Sequence, residues 1–165
     1  MKQTPDKPLF SDLLWSKPET KRRGGKLLIV GGHSHSLTVP AKAFSAAQAA
    51  GVGTARVILP DVTRKLLGKT FPEAEFAPST PSGSLAQSAL AVMLDNAGWA
   101  DGVLLAGDFG RNSETAILIE KFLEKFEGNI VLAGDTIDPF LQPHSIFLKR
   151  PETLCAIEFS KLQKL

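Results

Sequence analysis

The chain has 165 residues, of which 43% are apolar and 22% charged, and its formal net charge is +2. That balance fits one globular domain with a single sizeable core and excludes a disordered or fibrous chain. So small a charge gives no footing for nucleic acid or an anionic membrane, and the basic trio Lys21-Arg22-Arg23 reads as a solvated lead-in to a strand.

In chain order, residues 1–25 read as an extended arm anchored by Leu13, Leu14 and Trp15, and residues 26–165 as a single α/β domain. The run "KLLIV" (26–30) is short, continuous and apolar, and it ends in Gly31-Gly32, as a strand covered on both faces does. Pro40 then opens a helix of small residues, "PAKAFSAAQAAG", closed by Gly51 or Gly53. "TARVILP" (54–60) is the next strand, followed by a helix from Asp61 to Leu67. Strand-like "EAEFAP" (73–78) leads through the loop "STPSGS" to a helix from Leu85 to Asn96, with Gly98 as its stop.

"DGVLLAG" (101–107) is a further strand. Asn112 or Ser113 caps the helix after it, and Glu114 in the first turn complements the helix dipole. Leu118, Phe122 and Phe126 run down one face of that helix. "NIVLAGD" (129–135) and "SIFLK" (145–149) read as strands, and "PETLCAIEFSKLQKL" as a final helix. This alternation predicts a three-layer α/β/α fold with a mostly parallel central sheet.

Glycine and polar residues gather after three strands, in "GGHSHS", "GDFGRNS" and "GDTID". In open α/β sheets the carboxyl ends of the strands form the ligand crevice, and helix N-termini behind them offer amide donors. Asp108-Phe109-Gly110 spells a kinase magnesium motif, but no HRD-type loop, lysine strand or glycine-rich kinase loop precedes it, so it reads as a strand-end turn. "GGHSHS" has neither the dinucleotide fingerprint nor the P-loop lysine.

His33 and His35 need a further ligand, such as His144 or Asp108, before they can hold a metal, and hydrogen bonding or exposure is the expected fate. Ser34 and Ser36 have no base and orienting partner in the sequence, which leaves a serine nucleophile unsupported. Asp135 and Asp138 follow a buried strand; each can meet a metal, a hydroxyl or a proton, or simply cap a turn. The lone Cys155 excludes an internal disulfide and a cysteine zinc cluster, and it reads as a buried structural thiol on the last helix. No apolar run reaches the ~18 residues of a membrane span, and the proline-interrupted N-terminus does not read as a signal peptide, so a cytoplasmic location and no membrane partner are expected.

Taken in order, the loops resemble those of the NAD(P)H-hydrate dehydratases, ADP- or ATP-dependent enzymes of the ribokinase-like superfamily. The likeness runs through Arg23-Gly24-Gly25-Lys26, "LLIVGGHS", "LTVPAKAFSAAQAAGVG", "TARVILP", Gly107-Asp108-Phe109-Gly110 with Arg111, "LAGDTID" and "IFLKRPETLCAIEFSKL", and covers about residues 22 to 165. Order and spacing carry it rather than any single motif.

Three departures stand out. Thr38-Val39-Pro40 replaces the family's Gly-Ala-Pro, Ala133 replaces the first aspartate of Asp-Ala-Asp, and the sequence reaches Leu165 without the Gly-x-Gly-Asp segment that carries the family's nucleotide anion hole and catalytic aspartate. The resemblance therefore implies a ribokinase-like fold truncated at its C-terminus, a fragment of a longer chain or a reduced relative. It implies hydrated NADH or NADPH as substrate and ADP or ATP with Mg2+ as the driving cofactor. It also implies a substrate pocket lined by Gly31, Gly32, His33, Ser34, Pro40, Gly107, Asp108, Phe109, Gly110 and Arg111, with Asp135 at its floor, and it leaves the catalytic residues unassigned.

A non-catalytic nucleotide-binding module is the alternative from another class. A sugar or vitamin kinase of the same superfamily is disfavoured, because the first strand ends in glycines and no substrate aspartate stands near the N-terminus. A sheet left with an uncovered edge further predicts self-association into a homo-oligomer.

Overall fold

The computed structural model describes residues 18–141 and 149–163. Six strands form one sheet in the order β3-β2-β1-β4-β5-β6, and every pairing is parallel. They are β1 (Lys26–Gly31), β2 (Thr54–Pro60), β3 (Ala74–Ala77), β4 (Gly102–Gly107), β5 (Ile130–Ala133) and β6 (Thr153–Ala156). The helices are α1 (Thr38–Ala49), α2 (Arg64–Leu67), α3 (Leu90–Trp99), α4 (Ser113–Lys125) and α5 (Phe159–Leu162).

Apolar residues on successive positions of a strand point to opposite faces, so a continuous run such as Leu28-Ile29-Val30 requires cover on both sides. All three are fully buried. On one face, Met93 and Ala97 of α3 and Leu118, Phe122 and Leu123 of α4 pack against Leu28, Val30, Ile58, Val103, Leu105 and Ile130. On the other, Ala43, Phe44 and Ala47 of α1, with Leu67 and Phe71, cover Ile29, Val57, Leu59 and Ala106. The three-layer expectation holds, and the sheet is wholly parallel rather than mostly so.

Several boundaries differ from the sequence reading. Helix α1 begins at Thr38, which makes Pro40 its third residue. The helix expected from Leu85 starts later, with a 3-10 turn at Gln87–Ala89 leading into α3, because Leu85 is pinned in an antiparallel bridge with Ser79 and fully buried. Gly98 lies inside α3, and Trp99, which ends it, stacks under the Arg56 guanidinium at 4.0 Å. Asp135 lies on a 3-10 turn (Gly134–Phe140) rather than at the end of β5.

The C-terminal region departs most. "PETLCAIEFSKLQKL" is not one helix: Thr153–Ala156 is β6, paired with β5 from Ile130↔Thr153 to Ala133↔Ala156, and only Phe159–Leu162 is helical. Apolar spacing in that stretch suits either element over a few residues, and the open flank of β5 decides for strand. Cys155 consequently sits half-buried on a strand instead of a helix. The strand expected at 145–149 lies outside the described residues except for Lys149, as do His144 and the anchor residues Leu13, Leu14 and Trp15. No helix among the described residues is long and apolar enough to cross a membrane.

Candidate functional site

The strand order turns around between β1 and β4: from β1 the chain winds outward through β2 and β3, then crosses back to β4 and winds the other way. Loops leaving the carboxyl ends of those two central strands diverge to opposite faces and open a crevice between them. Residues 31–36 and 107–112 are these loops.

The strand ends touch at their backbones. Gly31 is in register with Gly107, and the Gly32 amide donates to the Gly107 carbonyl at 3.0 Å. A Cβ on Gly31 would stand 2.5 Å from that carbonyl oxygen, so the approach needs glycine. Beyond it, His33 and Ser36 form a tight antiparallel bridge, and the His33 Nδ1 accepts the amides of Ser36 at 2.9 Å and His35 at 3.2 Å. An accepting Nδ1 puts the ring proton on Nε2. The His33 ring lies over Gly110, where a Cβ would meet its Cδ2 at 2.6 Å and where φ is +72°.

Asp108 is the centre of the rim. It holds a left-handed φ of +63°, a conformation that aspartate tolerates better than most residues. Its Oδ2 accepts the Ser36 hydroxyl and, at 3.4 Å, the Val39 amide in the first turn of α1. Its own amide donates to Asp135 Oδ1 at 2.7 Å. Asp135 thus reaches from the turn after β5 and fixes the loop after β4.

Of the residues expected to line a pocket, Gly31, Gly32, His33, Ser34, Gly107, Asp108, Gly110 and Asp135 are gathered at this rim. Pro40 is buried just behind it, 3.3 Å from where a Gly32 Cβ would stand. Phe109 contributes only backbone, because its side chain is 3% exposed and belongs to the core under α4. Arg111 is exposed and makes no hydrogen bond to the other described residues of the rim.

One segment read as a plain connection also belongs to the rim. Ser34 donates its amide to Gly83 O at 2.9 Å and its hydroxyl to Ser82 O at 3.4 Å, and Asn112 Nδ2 reaches Ser82 Oγ at 2.8 Å. The signal was available in principle: this loop follows β3, and in a parallel sheet all strand-to-helix loops leave on the same edge. Asn112 also caps α4, its Oδ1 accepting the amides of Glu114 at 2.8 Å and Thr115 at 3.4 Å.

Among the described residues no group of three His, Cys, Asp or Glu stands close enough to hold a metal ion. Two groups away from the rim have displaced pKa values. Burial pushes the Cys155 thiol up, and burial lowers Arg150, with the nearby Glu127 acting in the opposite direction. A cleft of about 400 Å³ bordered by Leu27, Gly102, Asn129 and Thr153 lies at the amino ends of the strands, on the opposite edge of the sheet from Asp108.

No protein-family model matches the sequence, and no curated protein matches it. In three dimensions the chain is similar to a crystal structure of a ribokinase-like superfamily protein from Enterococcus faecalis V583, with a TM-score of 0.71 and 18% sequence identity. The match covers 90% of this chain and 51% of that one, so this chain spans about half the length of the protein that it resembles. The likeness shows a ribokinase-like fold.

Proposed function

We propose that this chain holds hydrated NADH or NADPH at the β1/β4 rim, as the substrate-binding part of an ADP- or ATP-dependent NAD(P)H-hydrate dehydratase. One observation carries the reading: the loops whose order resembles that family, at Gly31–Ser36 and Gly107–Asn112, are in direct backbone contact at the point where the strand order reverses. Such a crevice is where open parallel sheets take small ligands.

The residues have separable tasks. Gly31 and Gly110 let the Gly107 carbonyl and the His33 ring pack directly against the backbone, which fixes the shape of the rim. His33 offers Nε2–H as a donor, because both amides on Nδ1 hold the other nitrogen as acceptor. Asp135 locks the Asp108 turn, and the loop at Ser82-Gly83 closes the far side through Ser34 and Asn112.

When bound, ADP or ATP with Mg2+ would supply the phosphoryl group that turns the hydrate hydroxyl into a leaving group. The described residues do not fit that cofactor. The head of α1 already carries the Asp108 carboxylate, and no loop in the sequence has the Gly-x-Gly-Asp order. No phosphoryl step is therefore assigned to them.

Equilibrium dialysis with hydrated NADPH tests the reading. The hydrate is expected to bind and to be displaced by excess unlabelled hydrate, and His33→Ala, which removes the Nε2–H donor, is expected to weaken it about tenfold. Absence of saturable binding to the folded protein would refute the reading. Incubation of hydrate with protein and either nucleotide, followed through the dihydronicotinamide absorbance, separates holding the substrate from converting it.

A further inference from the structure

The backbone amides from Gly32 to Ala41 are almost all committed to partners within the protein. Gly32 gives its N–H to Gly107 O, His33 to Ser36 O, Ser34 to Gly83 O, His35 to His33 Nδ1, and Ser36 to His33. Ala41 gives its N–H to Leu37 O, Val39 gives its to Asp108, and Pro40 has none to give. Only Leu37 and Thr38 keep an amide without a partner among the described residues. Loops that cradle phosphate do the opposite, aiming several free amides at the ligand from a helix N-terminus.

The helix end is also electrostatically occupied. The positive end of the α1 dipole attracts one negative charge most strongly within its first turn. Asp108 Oδ2 stands there already, held by the Val39 amide and the Ser36 hydroxyl, with the Asp135 carboxylate beside it on the Asp108 amide. No donor among the described residues is paired with the other oxygen, Oδ1. Asp108 is half-buried, so part of the side chain remains open to the rim.

We propose that Asp108 is a specificity-determining residue, a built-in anion that closes the head of α1 to phosphate groups and offers Oδ1 to an uncharged hydroxyl or amide donor. A ligand of this rim then meets α1 with a neutral, donor-bearing end and carries any phosphates away from it. For a hydrated dinucleotide this sets orientation, with the hydroxylated nicotinamide ring toward Asp108 and the diphosphate outward. Only that last step rests on the hydrate reading; the exclusion of phosphate stands apart from it.

The test follows the Val39 amide in a 15N spectrum during titration with inorganic phosphate. Wild type is expected to show no saturable shift there. Asp108→Gly suits the left-handed φ, uncovers the Val39 amide and the Ser36 hydroxyl, and is expected to bind phosphate at Val39 at least about tenfold more tightly, like-charge repulsion at contact distance being large even after screening. Asp108→Asn keeps an acceptor in a conformation that asparagine tolerates, removes the charge and is expected to fall between the two; it carries the test if the glycine variant does not fold.

Equal phosphate affinity in wild type and both variants would overturn the proposal, because the Asp108 carboxylate would then not be what keeps phosphate from the head of α1. Saturable binding of phosphate at Val39 in wild type would overturn it as well. Because the probe is inorganic phosphate, failure to bind hydrated NADPH leaves this outcome readable.

Discussion

A methyl group added at Gly31 would lie 2.5 Å from the Gly107 carbonyl oxygen, and neither central strand can retreat without disturbing the pairing beside it. Gly31→Ala is therefore expected to destabilise the fold by about 1–3 kcal/mol, the usual cost of overpacking, as read by urea denaturation. Asn112 works in two directions at once. Its Oδ1 caps α4 and its Nδ2 holds Ser82.

Asn112→Ala is expected to cost about 1 kcal/mol through the cap and to speed amide exchange at Gly83 and Ser84. Asn112→Asp keeps the cap and loses the donor, so it should speed exchange in that loop at little cost in stability. The Cys155 thiol gives a pH signature. Burial raises its folded pKa above the unfolded value, so the folded state prefers the neutral thiol. Below the ordinary thiol pKa both states are protonated and nothing changes. As pH climbs through it the unfolded chain loses its proton first and stability falls, a loss that Cys155→Ser, with no group titrating in this range, should not show.

Among the elements, the strand-and-helix alternation as far as β5 was legible because each strand ends in, or runs directly into, glycine or proline and each helix begins with a polar or proline turn. β1, β2, β3 and β4 stand within a residue or two of where punctuation placed them. The last segment was not legible, because Leu154 and Ile157 suit a helix face as well as a strand over so short a run. What settles it is tertiary.

Arg150 donates to the carbonyls of Leu123, Phe126 and Gly128, tying the approach to β6 onto the end of α4. The Leu123 and Phe126 carbonyls lie at the C-terminus of α4, where a cation is favoured. Arg150→Ala is expected to cost about 1.5–3 kcal/mol, with Arg150→Lys recovering part of it, because the lysine ammonium lacks the guanidinium fork that reaches three carbonyls. Among the described residues β6 is the outermost strand of the sheet on its side, and Leu154 on it is 64% exposed. An apolar edge invites association, so wild type is expected to self-associate in sedimentation and Leu154→Lys to reduce it.

For the molecule as a whole, the gathering of strand-end loops on one edge followed from the parallel alternation alone, since every strand must point the same way. The contacts that give the rim its character did not. Ser36 with Asp108, Asp108 with Asp135, and Ser34 with Gly83 join residues far apart in the chain, and no local pattern announces such pairs. A carboxylate at the head of α1 is for the same reason invisible until the fold brings Asp108 back to it.

A ligand held at the β1/β4 rim must disturb the amides of the two loops that form it. The most direct measurement is a 15N amide spectrum of the full chain titrated with hydrated NADPH. Saturable shifts are expected at Gly32, Ser34, Gly107 and Gly110, with Gly102 and Asn129 at the opposite edge unmoved. Shifts centred on Gly102 and Asn129, with the rim silent, would contradict it.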